Sequence, residues 1–382
     1  MNLYLDCSYR APSHTAVLSW VKKYGLHLLD KPNDKADDWI IILDESVQFG
    51  QNRLLLIYGV RNSDISFSSS LTFKELTPLA IISRTSWTAE RIAEQLDIVE
   101  ASIGKIKYAV ADQGITIKKA LKIKGITHVY DITHYISLVV EQIYKDDEQF
   151  KEYTKKLAHL RSTQALGKMS HILPPVQRVT ARFMNLRPIS DWGMTVLELL
   201  EKGPESACKE KEYLNWMLEY KEFIHELAML NEMINKIQSV VKNRGLSMST
   251  RKECEKILEI ADAGRLYTFR ENLSNHLLRT LKQILTPQEL SDEEDKPIMC
   301  CSDIIESAFG KYKNYLQSNP MIGVTNLSLV LATFTGQLSK DEIAHALEST
   351  NMKKLEKWTS KNIGNTTLSR RMEVLNWNRN IS

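Results

Sequence analysis

The chain has 382 residues, about two to three times the length of a typical domain, so we expect a sizeable core and a second domain or a large insertion. Its 50 Lys and Arg residues against 47 Asp and Glu residues give a net charge of +3. That balance neither favours nor excludes nucleic acid, since a binding surface depends on local charge. Five scattered cysteines without a CxxC pair indicate neither a disulfide framework nor a zinc site, and they favour a reducing compartment. The longest apolar runs are too short for a membrane span, and the polar start is not typical of a signal peptide.

The first organised segment is APSHTAVLSWVKKYGLHLL, near the N-terminus. Ser13 can cap a helix here, and Gly25 is a candidate for its end. The cap, the short amphipathic helix and the basic Lys22 and Lys23 would suit a recognition helix in a DNA groove. A packed N-terminal helix is the alternative. We predict that residues 1–33 form a partial helix-turn-helix-like DNA-binding segment.

The next region alternates apolar runs with amphipathic segments and is predicted to form the core sheet. WIIILD predicts a strand buried on both faces, and RLLLIYGVR predicts a second strand that forms a hairpin with it through Gly50, Gln51 and Asn52. A third strand is expected near residues 65–73 or in LAIIS, followed by strands in IKYAVAD and THVYDIT with helices between them. The order predicts an α/β fold with a mixed five-stranded sheet flanked by helices, over residues 34–160.

The rest of the chain is predicted to be helical. HYISLVVEQIYKDDEQFKEYTKKLAHL is expected to form one long helix, and residues 161–297 a large all-helical insertion that ends in the acidic loop SDEEDKP. A helix in residues 298–318 is expected to complete the core. Residues 319–382 form a C-terminal helical region, in which Ser339 and Glu342 have the spacing of a capping box.

Three carboxylates lie at positions in the sequence that would suit a metal centre. Asp44 ends the run WIIILD, Asp112 ends IKYAVAD, and Glu306 lies in the helical segment SDIIESAFGKYK. Taken singly, an Asp after a strand is more often a turn former and a helical Glu is usually solvated. Together they could hold two Mg²⁺ ions, or two Mn²⁺ ions in their place, with Asp44 bridging the ions and Asp112 and Glu306 each completing one ion's ligands. Glu45 should point to the opposite face of its strand.

Basic residues near these segments are candidate DNA contacts. Lys313 follows Glu306 by seven residues and shares its helical face, and Lys311 lies beside it. The stretch PPVQRVTARFMNLRPISDW groups three arginines with two aromatic residues, which would suit a phosphate-binding surface with a stacking platform. Solvated arginines in a structural stretch are the alternative. The five side chains are Arg178, Arg182, Arg187, Phe183 and Trp192.

Asp131 and His134 form a further polar pair in VYDITHYI. They could supply a supporting acid and a DNA-contacting imidazole near the metal centre. A helix-capping Asp and a packed His explain them as well.

The ordered segments DDWIIILDESVQFGQNRLLLIYGVR, VADQGITIKKAL, VYDITHYI, LPPVQRVTARFMNL and SDIIESAFGKYK resemble the DDE transposases of bacterial insertion sequences. The resemblance covers nearly the whole chain. It implies a ribonuclease H-like catalytic core interrupted by a helical insertion, a catalytic and metal-binding triad of Asp44, Asp112 and Glu306, and magnesium dependence. It also implies double-stranded DNA partners, namely transposon terminal repeats and target DNA, a homodimer or higher oligomer on DNA, and a location on the nucleoid in the bacterial cytoplasm.

The expected function is therefore DNA transposition, in which a metal-activated water cuts at the element's end and the freed 3′ hydroxyl attacks target DNA. The helix of residues 14–25 begins almost at Met1, whereas such relatives carry a fuller DNA-binding region before the core. Two alternatives therefore stay open. One is a truncated or inactive DNA-binding remnant, and the other is a nuclease of the same fold.

Overall fold

A computed structural model describes residues 11–49, 52–177, 183, 186–291, 295–316, 323–364, 371 and 374–375. The chain divides into two compact units. The first comprises Met1–Ser66, Leu71–Val129 and Ser302–Ser382, and the second comprises Phe67–Ser70 and Tyr130–Cys301.

Strands and helices alternate over the first third of the chain, and helices follow them. From the N-terminus to the end of the sheet the elements are α1 (His14–Asp30), β1 (Ala36–Phe49), β2 (Asn52–Arg61), β3 (Thr77–Arg84), α2 (Ala89–Ile103), β4 (Gly104–Ala111), α3 (Ile115–Lys124) and β5 (His128–Tyr130). The helices that follow are α4 (Ile132–Tyr144), α5 (Glu148–Gln164), α6 (Arg187–Lys202), α7 (Cys208–Leu214), α8 (Lys221–Arg244), α9 (Met248–Leu258), α10 (Gly264–Ile284), α11 (Pro287–Ser291), α12 (Asp303–Leu316), α13 (Val330–Thr333), α14 (Lys340–Ser349) and α15 (Met352–Asn362).

The five strands form one mixed sheet in the order β3-β2-β1-β4-β5. The antiparallel hairpin of β1 and β2 continues into antiparallel β3, whereas β4 pairs with β1 in parallel. A parallel pair needs a crossover, and α2 lies between β3 and β4 in the chain. A hairpin-led sheet with this strand order, flanked by helices and interrupted by a helical unit, is a ribonuclease H-like fold. The predicted fold class is confirmed.

The central strand β1 is buried on both sides. Trp39, Ile41 and Leu43 pack into one apolar cluster with side chains of α2 and α3. The alternate residues, Ile40 and Ile42, belong to the other face.

That second face is covered by helices from the end of the chain. Ile42 pairs with Tyr58, whose hydroxyl donates a hydrogen bond of 2.8 Å to the carbonyl of Leu331 on α13. Helix α12 contacts both β1 and α13, so it lies on this face as well.

The edge of the sheet settles where the third strand lies. The third strand is Thr77–Arg84, which contains LAIIS, whereas the segment before it carries only short 3₁₀ turns at Asn62–Asp64 and Phe73–Glu75. Of the expected hairpin turn, Asn52 begins β2, and Gly50 and Gln51 lie outside the described residues.

The prediction of one long helix after β5 was wrong. The segment forms two helices, α4 and α5, separated at residues 145–147. Asp147 takes an extended conformation, and its carboxylate accepts a hydrogen bond of 2.8 Å from the backbone N–H of Phe150. An Asp in this position caps a new helix, and this local bond interrupts an otherwise continuous periodic pattern.

The prediction for the ends of α1 was half right. Ser13 caps the helix, as expected, by accepting from the N–H of Ala16. Gly25 does not end it, because the helix continues to Asp30. A Cβ on Gly25 would lie 2.2 Å from the carbonyl oxygen of Leu329, so glycine serves close helix packing here. Nearby Leu26 packs with Leu329 in a small buried cluster.

The second unit is built from helices α4 to α11, with one isolated bridge between Leu246 and Ile298 among its described residues. A partly buried network of ion pairs ties its helices together. Arg265 on α10 pairs with Asp147 at 2.7 Å and with Glu226 on α8 at 2.8 Å. The predicted insertion of residues 161–297 lies inside this unit, and the predicted domain boundaries stay predictions. Within the described residues, no helix is long and apolar enough to cross a membrane.

We expect Gly25→Ala to destabilise the protein by about 1–3 kcal/mol, because the added methyl group would overlap the Leu329 backbone and push α1 away. Gly310→Ala on α12 is the matched control, since a Cβ there meets no atom within 4 Å. We expect that change to stabilise the protein by about 0.5–1 kcal/mol, because Ala is the better helix former. Urea unfolding would measure the unfolding free energy of both variants. Similar changes in the two variants would contradict the close contact between Gly25 and Leu329.

The second unit should lose stability in acid because of His276 on α10. This imidazole is 3% exposed and stacks on Tyr135 with ring centroids 3.4 Å apart. Burial, and then the positive charge of Arg279, lower the pKa of His276 to about 3. The unfolded chain therefore binds a proton that the folded chain does not bind, and stability falls as pH drops from about 6.5 towards 3.

The expected slope for this one group is about 1.4 kcal/mol per pH unit within that window. His276→Phe keeps an aromatic ring and removes the titration. The unfolding free energy of that variant should depend less on pH than that of the wild type. Parallel pH profiles would show that His276 does not titrate as described.

Candidate functional site

Asp44 lies on β1, and Asp112 directly follows the neighbouring strand β4 in the first unit. The parallel pairing of β1 and β4 joins Ile41 with Ala109 and Ile42 with Val110. Continuing this register by two residues brings Asp44 beside Asp112. Both are half-buried, and their even positions give them the sheet face that α12 covers.

The carboxylate of Asp112 is fixed by the turn that leads from β4 to α3. Its Oδ1 accepts a hydrogen bond of 2.8 Å from the backbone N–H of Gly114. A Cβ on Gly114 would lie 2.9 Å from the same oxygen, so a larger residue would crowd this arrangement. Asp112 therefore acts as a turn former, and the same turn holds its carboxyl group at the end of the strand.

Glu45, one residue beyond Asp44, belongs to a different ion pair. One of its oxygens lies 3.6 Å from the guanidinium of Arg53 on β2. Burial raises the pKa of Glu45, Arg53 opposes that effect, and the negative charge of Asp112 adds to it. The influence of Asp112 means that the end of β1 concentrates negative charge, which is the electrostatic condition for holding a cation.

Glu306 lies in the first turns of α12. Ile305, Phe309 and Tyr312 form the buried stripe of this helix, while Glu306 and Lys313 are exposed. At about 100° per residue, Glu306 and Lys313 both lie on the flank of that stripe. A side chain on this flank borders the face by which α12 packs.

The three carboxylates do not form a closed cluster. Among the described residues, the donor atoms of Asp44, Asp112 and Glu306 do not all lie within 4.8 Å of one another. Three negative groups repel each other when no cation is between them. Carboxylate oxygens are the donors that Mg²⁺ prefers, and Asp44 and Asp112 lie side by side. These residue types therefore fit magnesium, provided that the Glu306 side chain moves towards the two aspartates.

The lysines that were predicted to contact DNA differ in their surroundings. Lys22 and Lys23 on α1 are both half-buried, and burial lowers the pKa of Lys22. Lys311 on α12 lies over the rings of Phe73 and Phe334, with its Nζ 4.3 and 5.3 Å from their centroids. These contacts hold the Lys311 side chain against the first unit.

The predicted arginine surface is only partly described. Arg178 and Arg182 lie outside the described residues. Arg187 begins α6, is largely exposed, and pairs with Asp191 at 3.2 Å. Phe183 packs its ring near that of Phe150, with centroids 5.7 Å apart, as a core residue of the second unit would.

Asp131 and His134 lie at the start of α4, in the second unit. Asp131 is completely buried, and its Oδ1 accepts hydrogen bonds from the backbone N–H of His134 at 2.8 Å and from its ring Nδ1 at 3.1 Å. The expected helix cap is therefore present. A carboxylate oxygen of Asp131 also lies within 4.8 Å of the Sγ of Cys301.

Sequence reasoning missed Cys301. About 170 residues separate it from Asp131, and its spacing matches no metal-binding motif. The tandem of Cys300 and Cys301 just before α12 is the one signal that could have drawn attention to it.

Comparison with known proteins leaves the family of this chain unassigned. No family model matches the sequence, and no curated protein matches it. Among solved structures, the chain is similar to the Drosophila P element transposase strand transfer complex, with 12% identity, coverage of 87% of this chain and 86% of that chain, and a TM-score of 0.42. This similarity is too coarse to assign an activity, and the expected membership of the bacterial insertion-sequence transposases gains no specific support from it.

We expect Mg²⁺ to stabilise the protein through Asp44, because a cation relieves the repulsion between level carboxylates. An ion present at about a hundred times its Kd adds about 2.7 kcal/mol. Asp44→Asn should remove most of this gain in thermal unfolding. Asp37→Asn, an exposed change near the start of the same strand, should keep it. Equal gains in all three proteins would exclude Asp44 as a ligand.

Proposed function

We propose that this protein is a DNA transposase that cleaves DNA at transposon ends and transfers the strand into target DNA. One observation carries the proposal, namely the parallel register of β1 and β4, which when continued by two residues brings Asp44 beside Asp112, on the sheet face where α12 packs. The helix on that face contains the third carboxylate, Glu306.

The proposal is supported by what such an arrangement can do chemically. Oxygen donors from two strands and one helix are suited to hard divalent cations. When bound, two such ions would activate the attacking oxygen and stabilise the leaving one in an in-line displacement at phosphorus. Asp44, at the centre of the sheet, would bridge them.

Each of the other side chains is proposed to make a single kind of contact. Asp112, held by its turn with Gly114, would ligate one ion, and Glu306 the other. Lys313, on the same flank of α12 as Glu306, would contact a DNA phosphate beside them. Lys22, Lys23 and the arginines at 178, 182 and 187 are proposed to bind DNA further from the reacting phosphate.

The reaction has two steps under this proposal. Water attacks the phosphorus at the element's end, and the bond from that phosphorus to the element's own 3′ oxygen breaks, which leaves a free 3′ hydroxyl on the element and a 5′ phosphate on the flanking strand. That hydroxyl then attacks a target phosphorus and displaces a target 3′ oxygen, without a covalent protein-DNA intermediate. The partners would be terminal-repeat and target DNA, bound by a homodimer or higher oligomer in the bacterial nucleoid, with Mg²⁺ or Mn²⁺ as cofactor.

The test is cleavage of labelled element-end DNA by the full chain with Mg²⁺ or Mn²⁺. Asp112→Asn removes the charge while leaving an oxygen to accept from Gly114, so the turn should survive. We expect its cleavage rate to fall at least about 100-fold, since loss of a residue that merely orients a ligand already costs about 10- to 100-fold. Asp37→Asn should cleave like the wild type.

The outcomes separate the proposal from its alternatives. Cleavage by Asp112→Asn at the wild-type rate would remove the proposed mechanism. Salt-dependent DNA binding without cleavage by any of the three proteins would instead indicate a binding remnant. Cleavage without joined products would indicate a nuclease of the same fold.

A further inference from the structure

Helix α15 packs on the first unit through one of its faces. Leu355 is buried in a cluster with Leu26 of α1 and with Leu329, and Trp358 lies against the same cluster. This packing fixes which side of α15 is turned away from the core.

Three lysines form a row on the side of α15 opposite Leu355. Lys353, Lys357 and Lys361 are all exposed, and they follow one another at intervals of four residues. At about 100° and 1.5 Å per residue, this lysine row stays within about 80° of arc and is about 12 Å long. Lys31 of the same unit is paired with a carboxylate, whereas the lysine row forms no ion pair within the described part of the chain.

The charge of α15 is strongly positive. The helix contains four lysines and a single acidic residue, Glu356. The fourth lysine, Lys354, donates a hydrogen bond of 3.0 Å to the backbone carbonyl of Ser349 and so takes part in a local contact. The lysine row is therefore the part of α15 best suited to an anionic partner.

The lysine row ends at the same edge of the sheet as the carboxylates proposed for cleavage. Strands β1 and β3 are both antiparallel to β2 and share one direction, and Leu56 of β2 pairs with Asp44 on one side and Ile81 on the other. Arg84 ends β3, and its guanidinium donates a hydrogen bond of 3.4 Å to the backbone carbonyl of Lys361. The last turn of α15 is thus held at the carboxyl end of β3.

We infer that Lys353, Lys357 and Lys361 form a docking surface for the sugar-phosphate backbone of double-stranded DNA. The inference rests on the proposed function, which makes DNA the ligand. A row of about 12 Å matches the axial length of three to four phosphates of one strand, at about 3.4 Å each. Lysine contacts phosphate as a point charge, so the surface binds duplexes of any sequence. A duplex bound there can continue along the sheet edge towards Asp44 and Asp112.

An anionic membrane surface fits the lysine row less well. A helix that lies on a membrane buries an apolar face among the lipids. The apolar face of α15 is instead occupied by its contacts with the first unit. Over the fully described residues of α15, Met352 is the one large apolar side chain that is exposed.

The experiment is a fluorescence-anisotropy titration of the full chain with a labelled random-sequence duplex, in EDTA, at salt concentrations between about 50 and 200 mM. Each lysine-phosphate contact contributes about 0.9 to the slope of log affinity against log salt. We expect the combined changes Lys353→Gln, Lys357→Gln and Lys361→Gln to reduce the magnitude of that slope by about 2.7. Glutamine is nearly as good a helix former as lysine, so α15 should stay folded.

The matched control removes the same amount of charge from three lysines that are paired with glutamates. It combines Lys151→Gln, Lys221→Gln and Lys236→Gln in the second unit, where the wild-type ammonium groups lie 3.0, 2.6 and 2.6 Å from their carboxylates. The salt slope of this control should equal that of the wild type.

Three results would overturn the inference: no duplex binding by the wild type, an unchanged slope in the α15 variant, or an equal loss of slope in the control. Binding to vesicles of anionic lipid that depends on the lysine row, without binding to the duplex, would indicate a membrane surface and would also overturn it. Cleavage of element-end DNA by the wild type, with an unchanged slope in the α15 variant, would remove this inference alone. The expected loss of slope without any cleavage would remove the proposed reaction alone.

Discussion

The parallel pairing of β1 with β4 is the constraint on which the first unit depends. Backbone hydrogen bonds fix this register along a buried strand, where an unmade bond is costly. A slip of one residue would send Ile42 to the wrong face and would separate Asp44 from Asp112. The need to keep apolar residues buried and backbone groups paired therefore also aligns the two carboxylates.

The two faces of β1 carry different kinds of side chain. One face, through Trp39, Ile41 and Leu43, builds an apolar core with α2 and α3. The other face holds the carboxylates and receives α12, and the close contact of Gly25 with Leu329 brings α1 against that group of helices. Stability and the proposed chemistry can therefore be changed separately by mutation, because they use alternate residues of one strand.

The carboxylates of the first unit are proposed to hold hard cations that can exchange during a reaction. Asp131 shows how one residue can serve both local and longer-range structure, since it caps α4 and lies beside a cysteine from the far end of the unit.

The sequence by itself determined the fold class, because unbroken apolar runs such as WIIILD and their order along the chain depend on local periodicity and burial. It also placed Asp44 and Asp112 at comparable points of their strands. Tertiary structure alone decided that Gly25 lies within α1 and that Cys301 lies beside Asp131. These outcomes depend on which backbones approach each other across long stretches of chain, and residue periodicity carries no information about such encounters.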